Sequence, residues 1–443
     1  MPSSPSSLLA VRGLRHVRGA LTLRPAGDIW HKPALSAALV MAAADLTLLV
    51  LGRLDLVLYT SGGALCALYA HDRPYAERAR VLAGVVLGMT AGVTAGLLCA
   101  ALTGSGPLRV LLAALVAALQ KAVCDATRLG PPANVVLTFV SSTAFFVPQR
   151  IGEVPAHAAL TLGCGALAWL VCLAPALVRP CGPERIAVAR ALEAAARRVD
   201  GTGTSGAADD AAQAAHRALA KAGGRGAAAR RHRETLALLL AEAERATDGA
   251  ERLRAAARTL RRGTSLPDTA PDAAAPAAVR APVAAPVPWA ALLRLGARLT
   301  AGAALSGWTA LGLGSPHPYW AVVTAAAVFQ AGVRPSGHRA VQRVVGNVVG
   351  LLLFAVLLPL TRAGEIALVA VTVALLAGAE AFITRNYWLG TVCVTPMALL
   401  LGEFAGRQDA AVSVLDRGGD TLVGATVGLL ACVLMSGRRR VSG

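Results

Sequence analysis

Long runs of Ala, Leu, Val and Gly alternate along this chain with short segments that collect Arg, Pro and Gly. An apolar run of about 20 residues can cross a hydrocarbon core of ~30 Å as a helix. Six such runs are predicted before residue 180, over 33–52, 54–70, 81–103, 107–123, 133–148 and 156–178. Six more follow residue 288, over 289–313, 317–332, 342–360, 364–381, 386–402 and 418–436. The shorter ones fit a thinned bilayer or the interior of a bundle. Between the two sets the chain turns rich in Ala, Arg and Glu. Helices are expected there near 184–199, opened by Pro183 and Glu184, and around 208–222 and 227–262. The last carries Leu236, Leu239, Leu240, Leu253 and Leu260 on one side. Prolines at 267, 271, 276, 282, 286 and 288 then make a semi-rigid linker.

The two apolar sets read as a parallel repeat. Tyr59 begins a run that ends in Arg73-Pro74, followed by Arg78, Arg80, Gly84 and Gly88. Tyr319 begins one that ends in Arg334-Pro335, followed by Arg339, Arg343, Gly346 and Gly350. The expected fold is an all-α integral membrane protein with about 12 spans in two six-helix repeats and a helical cytoplasmic domain between them. The expected divisions are a basic tail over 1–30, a degenerate first repeat over 31–179, the helical domain over 180–263, the linker over 264–288, the second repeat over 289–437 and a basic tail over 438–443.

Composition agrees with a membrane protein: 55% of the 443 residues are hydrophobic and 15% are charged, against about a quarter charged in soluble domains. The formal charge of +18 would suggest nucleic acid in a soluble protein. Here it collects in loops and tails, so a nucleic-acid partner is not expected. The arginine asymmetry puts both termini and residues 180–288 on the cytoplasmic side of a cell membrane. Arg53, Arg109, Arg150, Arg362, Arg407 and Arg417 are then left for the outer loops. The N-terminal segment, with Leu8, Leu9, Leu14 and Leu21, reads as a cytoplasmic tail or surface helix, not as a cleavable signal. The eight cysteines form no Cys-x-x-Cys pair and read as packing residues, neither disulfides nor metal ligands. No phosphate-cradling loop, HExxH or GxSxG motif is present, so neither an enzyme nor a cofactor is expected.

Candidate residues follow from cost. An ionisable group inside a span is expensive and marks function or a pair. Asp45 lies deep in the first run and is the candidate proton-coupling group, with pairing to a loop arginine such as Arg53, or a hydrogen bond within the bundle, as the bland alternative. Glu380 reads as a structural partner of Arg385, and Asp420 as a charge at a helix start. Glycines four apart let helices approach; the candidates are Gly84, Gly88, Gly92 and Gly96, then Gly346 and Gly350, then Gly424 and Gly428. Arg334 and Arg343 form a basic mouth beside Gln330, and Asn386 joins them as a candidate anion-binding group. Arg339 reads as a topology residue. Tyr319 and Trp320 suit either interface anchoring or stacking on a substrate ring.

Pro318-Tyr319-Trp320-Ala321-Val322, Gln330, and the segment Gln342-Arg343-Val344-Val345-Gly346 resemble the integral membrane bound transporter domain of the fusaric acid resistance-like (FUSC) family, which includes aromatic acid exporters. Arg385-Asn386-Tyr387 with Thr395-Pro396, and Asp416-Arg417 with Asp420-Thr421, fit the same pattern. Asn347 departs from it, standing where the family usually carries Thr. The resemblance covers roughly 289–436 and implies export of organic or aromatic carboxylates. It also strengthens Arg343 with Gln330 and Asn386 as the substrate grip. Two other readings stay open, an uncoupled anion conduit and a non-transporting scaffold acting through the 180–262 helices. The expected partners are the lipid bilayer, a small organic anion and a second copy of the chain.

Overall fold

A helix satisfies its own backbone hydrogen bonds, which is why apolar runs in a membrane protein fold as helices. The computed structural model describes residues 19–23, 28–223, 227–262, 287–330, 333–404 and 410–436. Arg12, Arg15, Arg18 and Arg24, Leu8, Leu9 and Leu14, the linker prolines through 286, and Arg407 and Arg438 to Arg440 lie outside the described residues. Among the described residues the structure is helical and contains no strand.

The first set of helices is α1 (His31–Val50), α2 (Val57–Ala64), α3 (Tyr75–Leu102), α4 (Gly106–Ala126), α5 (Asn134–Ala144) and α6 (Val154–Leu173). Two 3₁₀ turns, Leu54–Leu56 and Leu65–Leu68, flank α2, so the expected 54–70 span is a broken helix. The middle helices are α7 (Gly182–Val199), α8 (Ser205–Ala220), α9 (Ala227–Arg245) and α10 (Ala250–Arg262). The second set is α11 (Trp289–Gly312), α12 (Tyr319–Val328), α13 (Val333–Thr361), α14 (Glu365–Ile383), α15 (Tyr387–Glu403) and α16 (Ala410–Ser436).

Among the described residues, seven helical stretches are long and apolar enough to cross a membrane: α1, α3, α4, Ile151–Val178 around α6, α13, α14 and α16. Leu54–Leu68, α5 and α12 are shorter apolar stretches. At 1.5 Å per residue, a ten-residue helix covers only ~15 Å. Helix α12 has all ten of its residues buried, so protein rather than lipid surrounds it.

The chain divides into two units. One comprises 1–69, 85–169 and 287–443. Within it α1 packs on α14 and α11 packs on α4, while α12 touches α5 and α16. The glycines explain several close approaches. A methyl group on Gly346 would fall 2.5 Å from the Trp388 carbonyl, and one on Gly350 would fall 2.7 Å from Thr395 Cβ. Gly424 and Gly428 pack in the same way on the backbone of Ala321 and Ala325. In α3 the expected four-glycine face splits. Gly92 abuts Ser141 and Gln120, and Gly96 abuts Ala144 and Phe145, but Gly84 and Gly88 have open space around them. Steps of four residues drift about 40° each, so Gly84 and Gly96 point roughly 120° apart.

The other unit comprises 70–84 and 170–286. Its core is formed by α7 to α10 through Val188, Leu192, Leu219, Leu236, Leu240, Leu253 and Leu260. The expected 227–262 helix is two helices, broken where Gly249 adopts a φ of +71°. Pro183 sits in the first turn of α7, where its missing N–H costs nothing. Burial raises the Glu184 carboxyl above the usual glutamate range, against the opposing charges of Arg78 and Arg233.

Candidate functional site

A cavity of about 830 Å³ opens inside the first unit, between residues of α4, α5, α13, α14, α15 and α16. Sites for small molecules commonly enclose about 300–1,000 Å³, so this one can hold a ring-sized ligand. Its lining includes Gln330, Arg343 and Asn386, three of the residues singled out from sequence, together with Arg339, Arg417 and Glu380.

Arg343 is 3% exposed and donates from Nη1 to the Tyr387 hydroxyl at 2.8 Å. Its Nε has no partner among the described residues. Arg339 lies with its guanidinium carbon 3.7 Å from the Tyr387 ring centroid, so one tyrosine is held by two arginines. It thus lines the cavity instead of serving topology alone.

Arg417 is 1% exposed, and its Nε and Nη1 have no partner among the described residues. It was expected in an outer loop. Instead α16 begins at Ala410, so Arg417 lies two turns inside the helix. Its guanidinium carbon sits 3.5 Å over the Trp320 ring. The apolar stretch Ala410-Ala411-Val412-Ser413-Val414-Leu415 ahead of it is the signal that the helix starts early. Asp420, expected as a charge at a helix start, is buried ten residues into α16 and accepts from Ser315 Oγ at 2.8 Å. Asn347, the departure from the family pattern, accepts from Thr395 Oγ1 at 3.2 Å and donates to the Arg417 carbonyl at 3.5 Å.

Gln330 donates from Nε2 to the Ala327 carbonyl, and its backbone N–H donates to Ser336 Oγ, both at 3.0 Å. Asn386 donates to the carbonyls of Ala20 at 3.0 Å and Thr22 at 2.9 Å. Gln342 donates to Ala20 at 2.7 Å, and Trp388 Nε1 to Leu21 at 3.3 Å. Residues 19, 20 and 22 therefore form part of the cavity wall, a contact across more than 360 positions that no local pattern announces.

Other expected placements differ as well. Arg334 is exposed at the start of α13 and does not line the cavity. It is nine residues from Arg343, and nine steps of about 100° place the two on opposite helix faces. Tyr319 and Trp320 are buried and do not anchor at a lipid surface; they pack on Phe146 and Phe139. Neither lines the cavity, although Phe139 and Arg417, which flank Trp320, both do. Asp45 is fully buried, neither of its oxygens has a partner among the described residues, and it lies off the cavity. Its suggested partner Arg53 pairs with Asp55 at 3.0 Å. The Glu380–Arg385 pair does not form among the described residues: α14 ends at Ile383, and Arg385 is exposed in the turn beyond it while Glu380 is buried.

Residues 302–431 match the model of the fusaric acid resistance protein-like family. The match takes in Gln330, Arg343, Asn386 and Arg417 and supports a membrane transport role. No curated protein and no solved structure matches the chain.

Proposed function

We propose, from the likeness of residues 302–431 to the fusaric acid resistance-like family, that this protein moves organic carboxylates, aromatic ones included, out of the cell across its membrane. One observation carries the reading. Arg343 and Arg417, both buried, have N–H groups without partners among the described residues, and both residues line one cavity. Unpaired buried donors cost about 1–3 kcal/mol each, and a bound carboxylate removes that cost by accepting from them. Five Lys and Arg side chains line the cavity against a single carboxylate, Glu380, so its field favours anions. Phe139 adds an aromatic side chain to the same lining.

The two-repeat architecture belongs to the same reading. The first helix of each set packs on the fourth helix of the other, α1 on α14 and α11 on α4, as an exchange between two related units would require. In that arrangement both termini and the middle helices face the cytoplasm, in keeping with the arginine distribution. Flux of labelled benzoate into vesicles holding the purified protein tests the reading. Arg343→Ala and Arg417→Ala should each abolish saturable flux while leaving membrane insertion intact; unchanged flux in both removes the cavity from the pathway.

A further inference from the structure

The carboxylate of Glu380 stands alone on the wall of a basic cavity. On α14, Leu376, Ala379, Glu380 and Ile383 line the space, a spacing that puts all four on one helix face. Glu380 is 9% exposed and makes neither an ion pair nor a hydrogen bond among the described residues. Its sequence neighbour Arg385 is exposed and unpaired with it. A buried carboxylate next to cations usually takes one of them as a partner; this one does not.

We propose that Glu380 links proton binding to anion binding, its carboxylate oxygen taking up a proton from the buffered solvent outside the cavity when an anion settles on Arg343 and Arg417. This rests on the cavity being the anion site. A second negative charge entering a small enclosure meets Glu380 across it. Two like charges ~10 Å apart at an effective dielectric of ~20 repel by an amount worth on the order of tenfold in affinity. Neutralising Glu380 removes that repulsion, so proton and anion bind together. An anion moving with a proton crosses without net charge, and its flux then follows the concentration of the acid instead of the membrane potential.

Other titratable groups share the neighbourhood. His338, Arg339 and Arg343 come from α13, Tyr387 from α15 and Arg385 from the turn between α14 and α15, all on the cavity wall. Cys393 of α15 packs on α14 at Gly378. Tyr69 is held by a hydrogen bond to the Ala133 carbonyl at 2.8 Å. Asp45 of α1, the helix packed on the other side of α14, does not line the space. Lys121 of α4 and Arg417 of α16 complete the cations of the wall, and among the described residues lining it Glu380 is the one carboxylate.

The test is benzoate binding to the full chain in lipid nanodiscs from about pH 5 to pH 8, with proton uptake measured by calorimetry in two buffers. Wild-type affinity should weaken on the order of tenfold across that range, with protons taken up on binding. Glu380→Gln should bind with the affinity of the acid limb throughout and take up none, while Glu380→Asp and His338→Gln keep the dependence. A wild-type profile that is flat, or one that persists in Glu380→Gln, overturns the linkage and leaves the anion site standing. Zero proton uptake by the wild type overturns it without any variant. Absence of saturable wild-type binding overturns the linkage and the anion site together.

Discussion

The guanidinium of Arg417 lies 3.5 Å over the ring of Trp320, 97 positions earlier in the chain. Trp320 is also stacked on Phe139, with centroids 5.5 Å apart. A buried arginine with two N–H groups that lack partners among the described residues needs another source of stabilisation, and a tryptophan face supplies about 2 kcal/mol to a desolvated cation. The ring holds the charge in place while leaving its N–H edge for a ligand. Arg417→Lys keeps the charge but loses the planar fork. It should weaken benzoate binding about thirtyfold, equivalent to ~2 kcal/mol, as read by calorimetry on a variant that still unfolds cooperatively.

Glycines that look alike in sequence should respond in opposite ways. Gly346→Ala drives a methyl group toward the Trp388 carbonyl and should destabilise by about 1–3 kcal/mol through overpacking. Gly88→Ala meets open space and should stabilise α3 by up to about 1 kcal/mol through helix propensity. Thermal unfolding in one detergent compares them, and equal shifts would show that α13 and α15 are not so closely packed.

Residues 20–22 lend their carbonyls to Gln342, Asn386 and Trp388. Removing residues 1–23 should therefore uncover this edge of the cavity. An Asn386→Cys variant should react faster with a charged thiol reagent in the truncated chain than in the full one. An unchanged rate would mean that the segment does not cover the site.

Asp45 and Glu380 are both buried acids, but only Glu380 lines the cavity. Asp45→Asn should leave the pH profile of benzoate binding unchanged. Loss of the profile in Asp45→Asn would return coupling to the first helix.

Glu184 gives a pH signature of stability. Burial raises its folded-state pKa above the unfolded value, so the folded form holds the proton more tightly. The stabilising proton is fully present below the unfolded glutamate range, and stability falls as pH rises from that value through the raised folded one. Glu184→Gln should thus raise the melting temperature at neutral pH and leave it nearly unchanged well below the ordinary glutamate range. A gain at acid pH alone would reverse the assignment.

Much of this protein is written in local pattern. The apolar runs place most of the helices within a few residues, because burying or immersing about 20 apolar residues leaves the backbone no other way to satisfy its hydrogen bonds, although α3, α13 and α16 begin well ahead of the apolar runs expected at 81, 342 and 418. The leucines of the middle segment mark its core, and the pairs Gly346/Gly350 and Gly424/Gly428 mark real contacts. The resemblance around Arg343 located one wall of the site. Tertiary structure decided what local pattern does not encode, namely which faces meet. Arg334 and Arg343 share a helix but point apart, and Gly84 drifts away from the contact that Gly96 makes. Arg417 and Trp320 meet only because α12 and α16 pack together. Side-chain direction along one helix follows from its 3.6-residue period. The partner across the gap depends on how distant helices pack, and that arrangement made an arginine expected in an outer loop a lining residue of the cavity.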